Sequence, residues 1–299
     1  MKTIQTALKR QWPYHAMLLP GIIATVVFSY IPLYGLIIAF QKYNVALGFQ
    51  SEWVGLDNFR FLFSQPNFIR TIWNTLYITV FKIIGNIIVP VLFALLLNEV
   101  RSSKMKKTFQ TLVYLPHFLS WVILAGLFTD ILASGGVVNQ MLSHFGAAPV
   151  RFLSSSSVFP WTMVVTDIWK SFGFGTVIYL AALSGIDPNL YEAAMVDGAT
   201  RWQQTLRITV PLLVPTVILM TVLSLGGILN AGFDQIYNLY SPVVYSSGDI
   251  IDTYVYRLGI EQAQYSVGTA IGLFKSLISG VLILASYWLA DRVAGYRVF

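Results

Sequence analysis

YHAMLLPGIIATVVFSYIPLYGLIIAF, residues 14–40, contains no aspartate, glutamate, lysine or arginine. A bilayer core about 30 Å thick is crossed by a helix of roughly 20 apolar residues, so this run is long enough to span it. Five further runs of comparable character follow, at 71–97, 108–131, 160–183, 209–232 and 267–290. The chain as a whole is 56% hydrophobic and 11% charged, with a mean hydropathy of +0.67, outside the usual range of a soluble domain. The reading is a single all-α integral membrane domain of six transmembrane helices.

Lys2, Lys9 and Arg10 precede the first run. That run is far longer than the apolar segment of a cleavable signal and no A-x-A-like site ends it, so it is predicted to remain as a helix. With the N-terminus inside, the cytoplasmic segments collect Lys2, Lys9, Arg10, Arg101, Lys104, Lys106, Lys107, Arg201, Arg207, Arg292 and Arg297. The outer loops hold Lys42, Arg60, Arg70, Arg151 and Arg257, which is eleven against five. The positive-inside rule then places both termini, the 101–107 loop and the 185–208 loop in the cytoplasm.

The last of these loops reads EAAMVDGATRW at 192–202, followed by ITVP at 208–211 and by Pro215. Asp187 is a good helix N-cap and Pro188 suits the first helical position, so a short helix is predicted to run to about Val196, with Gly198 supplying a turn. Ala193 and Ala194 leave a low surface that another protein can approach closely, and Glu192 and Asp197 offer carboxylates to a basic or hydrogen-bonding partner. The plainer alternative is an ordinary surface helix joining two spans.

Glu-Ala-Ala-x-x-x-Gly followed by Ile-x-x-Pro resembles the EAA motif of permease subunits in binding-protein-dependent ATP-binding-cassette (ABC) importers. Asp197 and Ala199 fit its sugar-importer version; Val210 stands where the family usually has leucine. Further segments carry the resemblance over nearly the whole chain: LPG at 19–21, YIPLYG at 30–35, WVGLDNF at 53–59, LNE at 97–99, NAGFDQ at 230–235 and DTYVYR at 252–257. They are similar to the branch that imports oligo- and polysaccharides into bacteria. The resemblance implies a type I importer permease in the cytoplasmic membrane, working by alternating access. Its implied partners are a second homologous permease, two ATPase subunits, an extracytoplasmic solute-binding protein and an oligosaccharide. It also implies that Glu192, Ala193, Ala194, Asp197, Gly198 and Ala199 dock on the ATPase, which would hold the ATP and magnesium.

Sugars present hydroxyls around a weakly apolar ring face, so their pathway calls for amides or carboxylates beside aromatic rings. Asn230, Phe233, Asp234, Gln235 and Tyr237 supply both kinds of group just past two glycines, Gly226 and Gly227, that allow an interrupted helix. Asn230 bonding between helices, with the rings in an interfacial belt, is the alternative. Charges within the runs need partners, since each costs about 2.5–3.5 kcal/mol on insertion scales. Asp167 and Lys170 are spaced to pair along one helix face, the alternative being a contact with the substrate. Lys82 serves either the pathway or a bond between helices, and Lys275 is placed to snorkel.

Other chemistries find little support. There is no cysteine, the three histidines lie far apart, and no lysine follows a glycine, so thiolate sites, an HxxxH metal site and a phosphate-binding P-loop are excluded. No recognisable catalytic set appears, no cofactor is expected in this chain, and nucleic-acid binding is not indicated. The basic 101–107 loop can touch anionic lipid or the ATPase, the plainer alternative being that it only sets the topology. An ion-coupled secondary carrier would need Lys82, Asp167 or Lys275 as ion sites, and an enzyme of polysaccharide synthesis would need a carboxylate cluster that is not visible. Oligosaccharides derived from alginate or pectin are as compatible with the sequence as neutral ones.

Overall fold

A chain in lipid has no water to satisfy its peptide groups, and helices solve this within one segment. The computed structural model describes residues 2–294 and is helical over most of them. Arg297, counted above on the cytoplasmic side, lies outside the described residues; Lys2, Lys9 and Arg10 are described by their backbone alone. The chain divides into two compact units, one of residues up to 64 with 255–273, the other of 65–254 with residues from 274 onward.

In the first unit, α1 (Lys2–Thr25) continues through a π-turn (Val26–Tyr30) into a 3-10 segment (Ile31–Phe40), and together they supply the span Tyr14–Phe40. Pro32 at the start of the 3-10 segment lacks the N–H that an α-helix would use there. Of the side chains in Ile31–Phe40 only Ala39 is buried. An antiparallel hairpin follows, β1 (Gln41–Asn44) and β2 (Gly48–Trp53), with Gln41 opposite Trp53. This small sheet is an exception to the all-helical expectation. Phe40 stacks on Trp53 at 5.6 Å, and Asn58 of α2 (Asp57–Ser64) donates to the carbonyls of Ala39 and Gln41, closing the end of the span.

The second unit is built on α3 (Pro66–Glu99), which packs most extensively against α7. Between them come α4 (Ser103–Tyr114), α5 (Trp121–Ile131) and α6 (Val137–His144). The run at 108–131, expected as one helix, is broken: α4 ends in a 3-10 turn (Leu115–Phe118) and α5 starts afresh, bent by 102°. Pro116 cannot donate to the α4 ladder, and the Ser120 hydroxyl accepts from the Ile123 N–H to cap the new helix. At the break the Pro116 carbonyl accepts from the Leu119 N–H, and the His117 carbonyl accepts from a side chain instead.

After α7 (Phe159–Ser184) come α8 (Pro188–Val196), α9 (Arg201–Gln204) and, through a π-turn, α10 (Val210–Leu225). The fifth run was expected to stay helical to 232 but stops at Leu225, where Gly226 and Gly227 begin a turn segment. Short helices α11 (Phe233–Leu239), α12 (Tyr245–Gly248) and α13 (Ile251–Tyr256) precede α14 (Tyr265–Ala294).

Among the described residues four helices are long and apolar enough to cross a membrane, and the bent pair of α4 and α5 brings the number to five. The remaining run, 160–183, coincides with α7, whose 26 residues give about 39 Å of rise. It is more polar because much of it faces protein: Thr162, Thr166, Thr176, Met163 and Tyr179 are all buried. Contact with neighbouring helices is close enough that a Cβ at Gly173 would overlap the Val113 carbonyl of α4.

Candidate functional site

The 185–208 loop folds as two short helices joined by a tight turn. The Asp187 carboxylate accepts from the Asn189 N–H at 2.9 Å, and Pro188 occupies the first turn of α8. At the other end the Ala199 N–H donates to the Ala194 carbonyl and the Gly198 N–H to the Met195 carbonyl, the paired bonds of a Schellman cap. Gly198 sits at φ +79°, where a side chain would be strained, so the spacing from Ala194 to Gly198 is that of a helix end. Thr200 and Gln203 then form a capping box on α9.

Glu192, Ala193, Asp197 and Gly198 are exposed, and Ala194 and Ala199 are half-buried. Beside them stand two large apolar side chains that the sequence reading passed over, Val196 at 89% and Trp202 at 70% exposure. Such residues in a polar loop are themselves a signal of a contact surface. The loop is tied to the helices behind it: the Tyr191 hydroxyl bonds that of Thr209 at 2.9 Å, and Arg201 of α9 pairs with Glu99 at the end of α3 at 3.2 Å. The Arg201–Glu99 pair is exposed and contributes little to stability, but it sets which part of α3 the loop touches.

Halfway along α3, Lys82 is 5% exposed and its ammonium meets three acceptors. Asp167 Oδ1 of α7 lies at 3.3 Å, the Ala231 carbonyl accepts at 2.7 Å, and Gln235 Oε1 accepts a third bond. All three ammonium donors are therefore used. Gln235, fully buried, donates in turn to the Met163 carbonyl and the Thr166 hydroxyl at 2.9 and 2.8 Å, and Asn86 donates to Asp167 Oδ2 at 2.9 Å. Gly232, at φ +92°, lets the chain turn above the ammonium; a Cβ there would lie 3.2 Å from Lys82 Nζ.

This network clamps α11 onto α3 and α7. One face of α11, carrying Gln235, Ile236 and Leu239, is buried, while Asp234 and Asn238 on the other are exposed and Phe233 and Tyr237 are half-exposed. Phe233 stacks on Tyr237 at 5.1 Å, and Tyr240 and Tyr245 continue the aromatic row at 6.1 and 5.0 Å. Of the six pathway candidates, Phe233, Asp234 and Tyr237 share the less buried side of α11 and Asn230, ahead of the helix, is exposed, whereas Lys82 and Gln235 lie beneath α11 as its support.

Two expectations about charges are corrected. Asp167 does not pair with Lys170, because the Lys82 ammonium and Asn86 amide of α3 take both its oxygens. Lys170 instead donates to the His117 carbonyl at 3.0 Å and lies 5.5 Å above the Trp121 ring. Lys275 does not snorkel but forms an ion pair with Asp252.

Residues 86–295 match the family described as the inner membrane component of binding-protein-dependent transport systems. The chain is 40% identical over 295 residues to the polygalacturonan/rhamnogalacturonan transport system permease protein YteP of Bacillus subtilis (strain 168), covering 98% of this chain and 91% of that one. It is 43% identical to a chain in the crystal structure of a bacterial ABC transporter involved in the import of the acidic polysaccharide alginate, with a TM-score of 0.89 over 97% of this chain and 99% of the other. A second structure, of the bacterial alginate ABC transporter in complex with an alginate pentasaccharide-bound periplasmic protein, matches equally well, at 43% identity and a TM-score of 0.89 over 98% and 99% of the two chains.

Proposed function

We propose that this chain, which belongs to the family of inner membrane components of binding-protein-dependent transport systems, carries oligosaccharides across the bacterial cytoplasmic membrane as the permease subunit of an ABC importer. The observation that carries this reading is likeness at 43% identity, over nearly the whole of both chains, to a chain of a bacterial ABC transporter involved in the import of alginate. The role is that of a transport subunit, not an enzyme.

The full assembly adds a second permease, two ATPase subunits and an extracytoplasmic binding protein; the complex of the alginate relative with a periplasmic protein supports the last of these. In this assembly the exposed surface around Glu192, Val196 and Trp202 docks on the ATPase, and closure of the ATPase dimer is passed through Arg201 to α3. The open face of α11, with Phe233, Asp234 and Tyr237, and the exposed Asn230 ahead of it meet the sugar: rings stack on its apolar face while amide and carboxylate bond its hydroxyls. ATP binding opens this face toward the docked binding protein, and hydrolysis returns it to the cytoplasm.

Reconstitution tests the reading directly. In liposomes holding the whole complex, uptake of oligosaccharide should require internal ATP and external binding protein and should persist when ionophores collapse every ion gradient. Uptake that follows an ion gradient without ATP would remove it. The topology has its own check, made simple by the absence of native cysteine. A cysteine introduced by Ser102→Cys should resist an impermeant thiol reagent in intact cells, and one introduced by Ser156→Cys should react; the reverse pattern would invert the chain in the membrane.

A further inference from the structure

The charges of the second unit's helices do not balance pair by pair. Lys82 is matched by Asp167 and Lys275 by Asp252, but among the described residues no carboxylate pairs with Lys170, near the middle of α7. Its two partners, the His117 carbonyl and the Trp121 ring, are both neutral. They hold a cation in place without cancelling its charge. The carbonyl is available only because the third span breaks at Pro116, so the break and the lysine form one feature.

Around this ammonium the side chains are those a sugar acid would meet. His117 stacks on Phe174 at 4.2 Å with the rings nearly parallel, and its Nδ1 has no hydrogen-bond partner. Phe118 and Phe174 are 73% and 47% exposed. A ring face for stacking and an uncancelled cation together suit a pyranose that bears a carboxylate. A neutral sugar would stack on the rings but bring the cation no opposite charge.

We propose that Lys170, set beside His117, Phe118, Trp121 and Phe174 at the break of the third span, is a binding site for the carboxylate of a uronic-acid residue, and that the cargo is an acidic oligosaccharide. The proposal rests on the oligosaccharide-importer reading and adds to it a substrate class and a residue. The carboxylate of the passing sugar takes the place that Asp167 and Asp252 fill for the other two lysines, for as long as the sugar is bound.

The test uses the assembled complex in nanodiscs and two probes, trigalacturonate and the same trisaccharide with all carboxyls methyl-esterified, with binding measured calorimetrically. Wild type should bind the acid at least about tenfold more tightly than the ester, the effect expected of one charge-assisted hydrogen bond. Lys170→Gln should erase that preference, Lys170→Arg should keep most of it, and Phe118→Ala, at an exposed ring, should weaken acid and ester alike by several-fold. A Lys170→Gln complex that still prefers the acid as wild type does overturns the proposal. So does one that cannot assemble, which would assign the lysine to the fold, or a Phe118→Ala complex that binds both sugars unchanged. If wild type imports a neutral oligosaccharide but does not bind trigalacturonate, only the acidic assignment fails; if it imports no oligosaccharide of any kind, the importer reading fails with it.

Discussion

Glu192→Lys should leave the permease folded and assembled in the membrane but reduce sugar-stimulated ATP hydrolysis by the complex at least about thirtyfold, since reversing a charge in a desolvated contact costs 2 kcal/mol or more. Glu192 is exposed on α8 and makes no hydrogen bond or ion pair among the described residues, so the fold they form does not depend on its charge. Its neighbours Ala193 and Ala194 present almost no side chain, which lets a partner surface come close enough for the carboxylate to be desolvated on contact. A lysine there places like charge against whatever basic or donor group receives the glutamate. The comparison is hydrolysis by purified complexes with and without saturating binding protein and sugar. Stimulation that survives the substitution would mean that α8 is a surface helix with no part in coupling.

The second large effect is expected inside the membrane. Lys82→Met should destabilise the permease by about 3–5 kcal/mol, because it strands Asp167 as a buried charge with only an amide for company. It also leaves the Ala231 carbonyl and Gln235 Oε1 without their donor, so α11 should come loose and transport should fail. Adding Asp167→Asn removes the stranded charge and should recover a large part of the stability while leaving α11 unfastened. The pair of variants separates the two roles of the lysine: thermal unfolding of the detergent-solubilised complex reports charge balance, and uptake reports the position of α11. Equal unfolding temperatures for the single and double variants would show that Lys82 and Asp167 are not energetically coupled.

What the sequence disclosed and what it hid divide along a physical line. The apolar runs and the loop helix are local: Asp187, Pro188 and Gly198 act through groups only a few positions away, so their caps can be read from spacing alone. The broken third span was also local in origin, since Pro116 and Ser120 are a stop and a start signal inside the run, but an unbroken stretch of hydrophobicity outweighed them. The hairpin at 41–53 was obscured in the same way, as a short polar link between two dominant spans. The partners of Lys82 could not have been read at all. Ala231 and Gln235 lie some 150 positions away in sequence, and nothing in the spacing of residues within one helix says which other helix will come near. That is also why the pairing of Asp167 with Lys170 failed: two side chains three apart are neighbours on a helix surface, but an ammonium and an amide arriving from α3 reached the carboxylate first.

Helix α3 touches the 185–208 loop at Glu99 and holds the chain entering α11 at Lys82, two points separated by about 25 Å of helix. Pro90 lies between them, buried, and leaves the Asn86 carbonyl without its ladder donor one turn from Lys82. The arrangement is a lever with its fulcrum inside the membrane. Over the roughly 12 Å of helix from Pro90 to Lys82, a tilt of about 5° displaces the end by about 1 Å, roughly the distance that separates a hydrogen bond from no bond. The Lys82 end therefore has no gradual travel available to it: it either carries α11 along as one body or lets go of it, and an intermediate stroke would leave a charge bare in the bilayer.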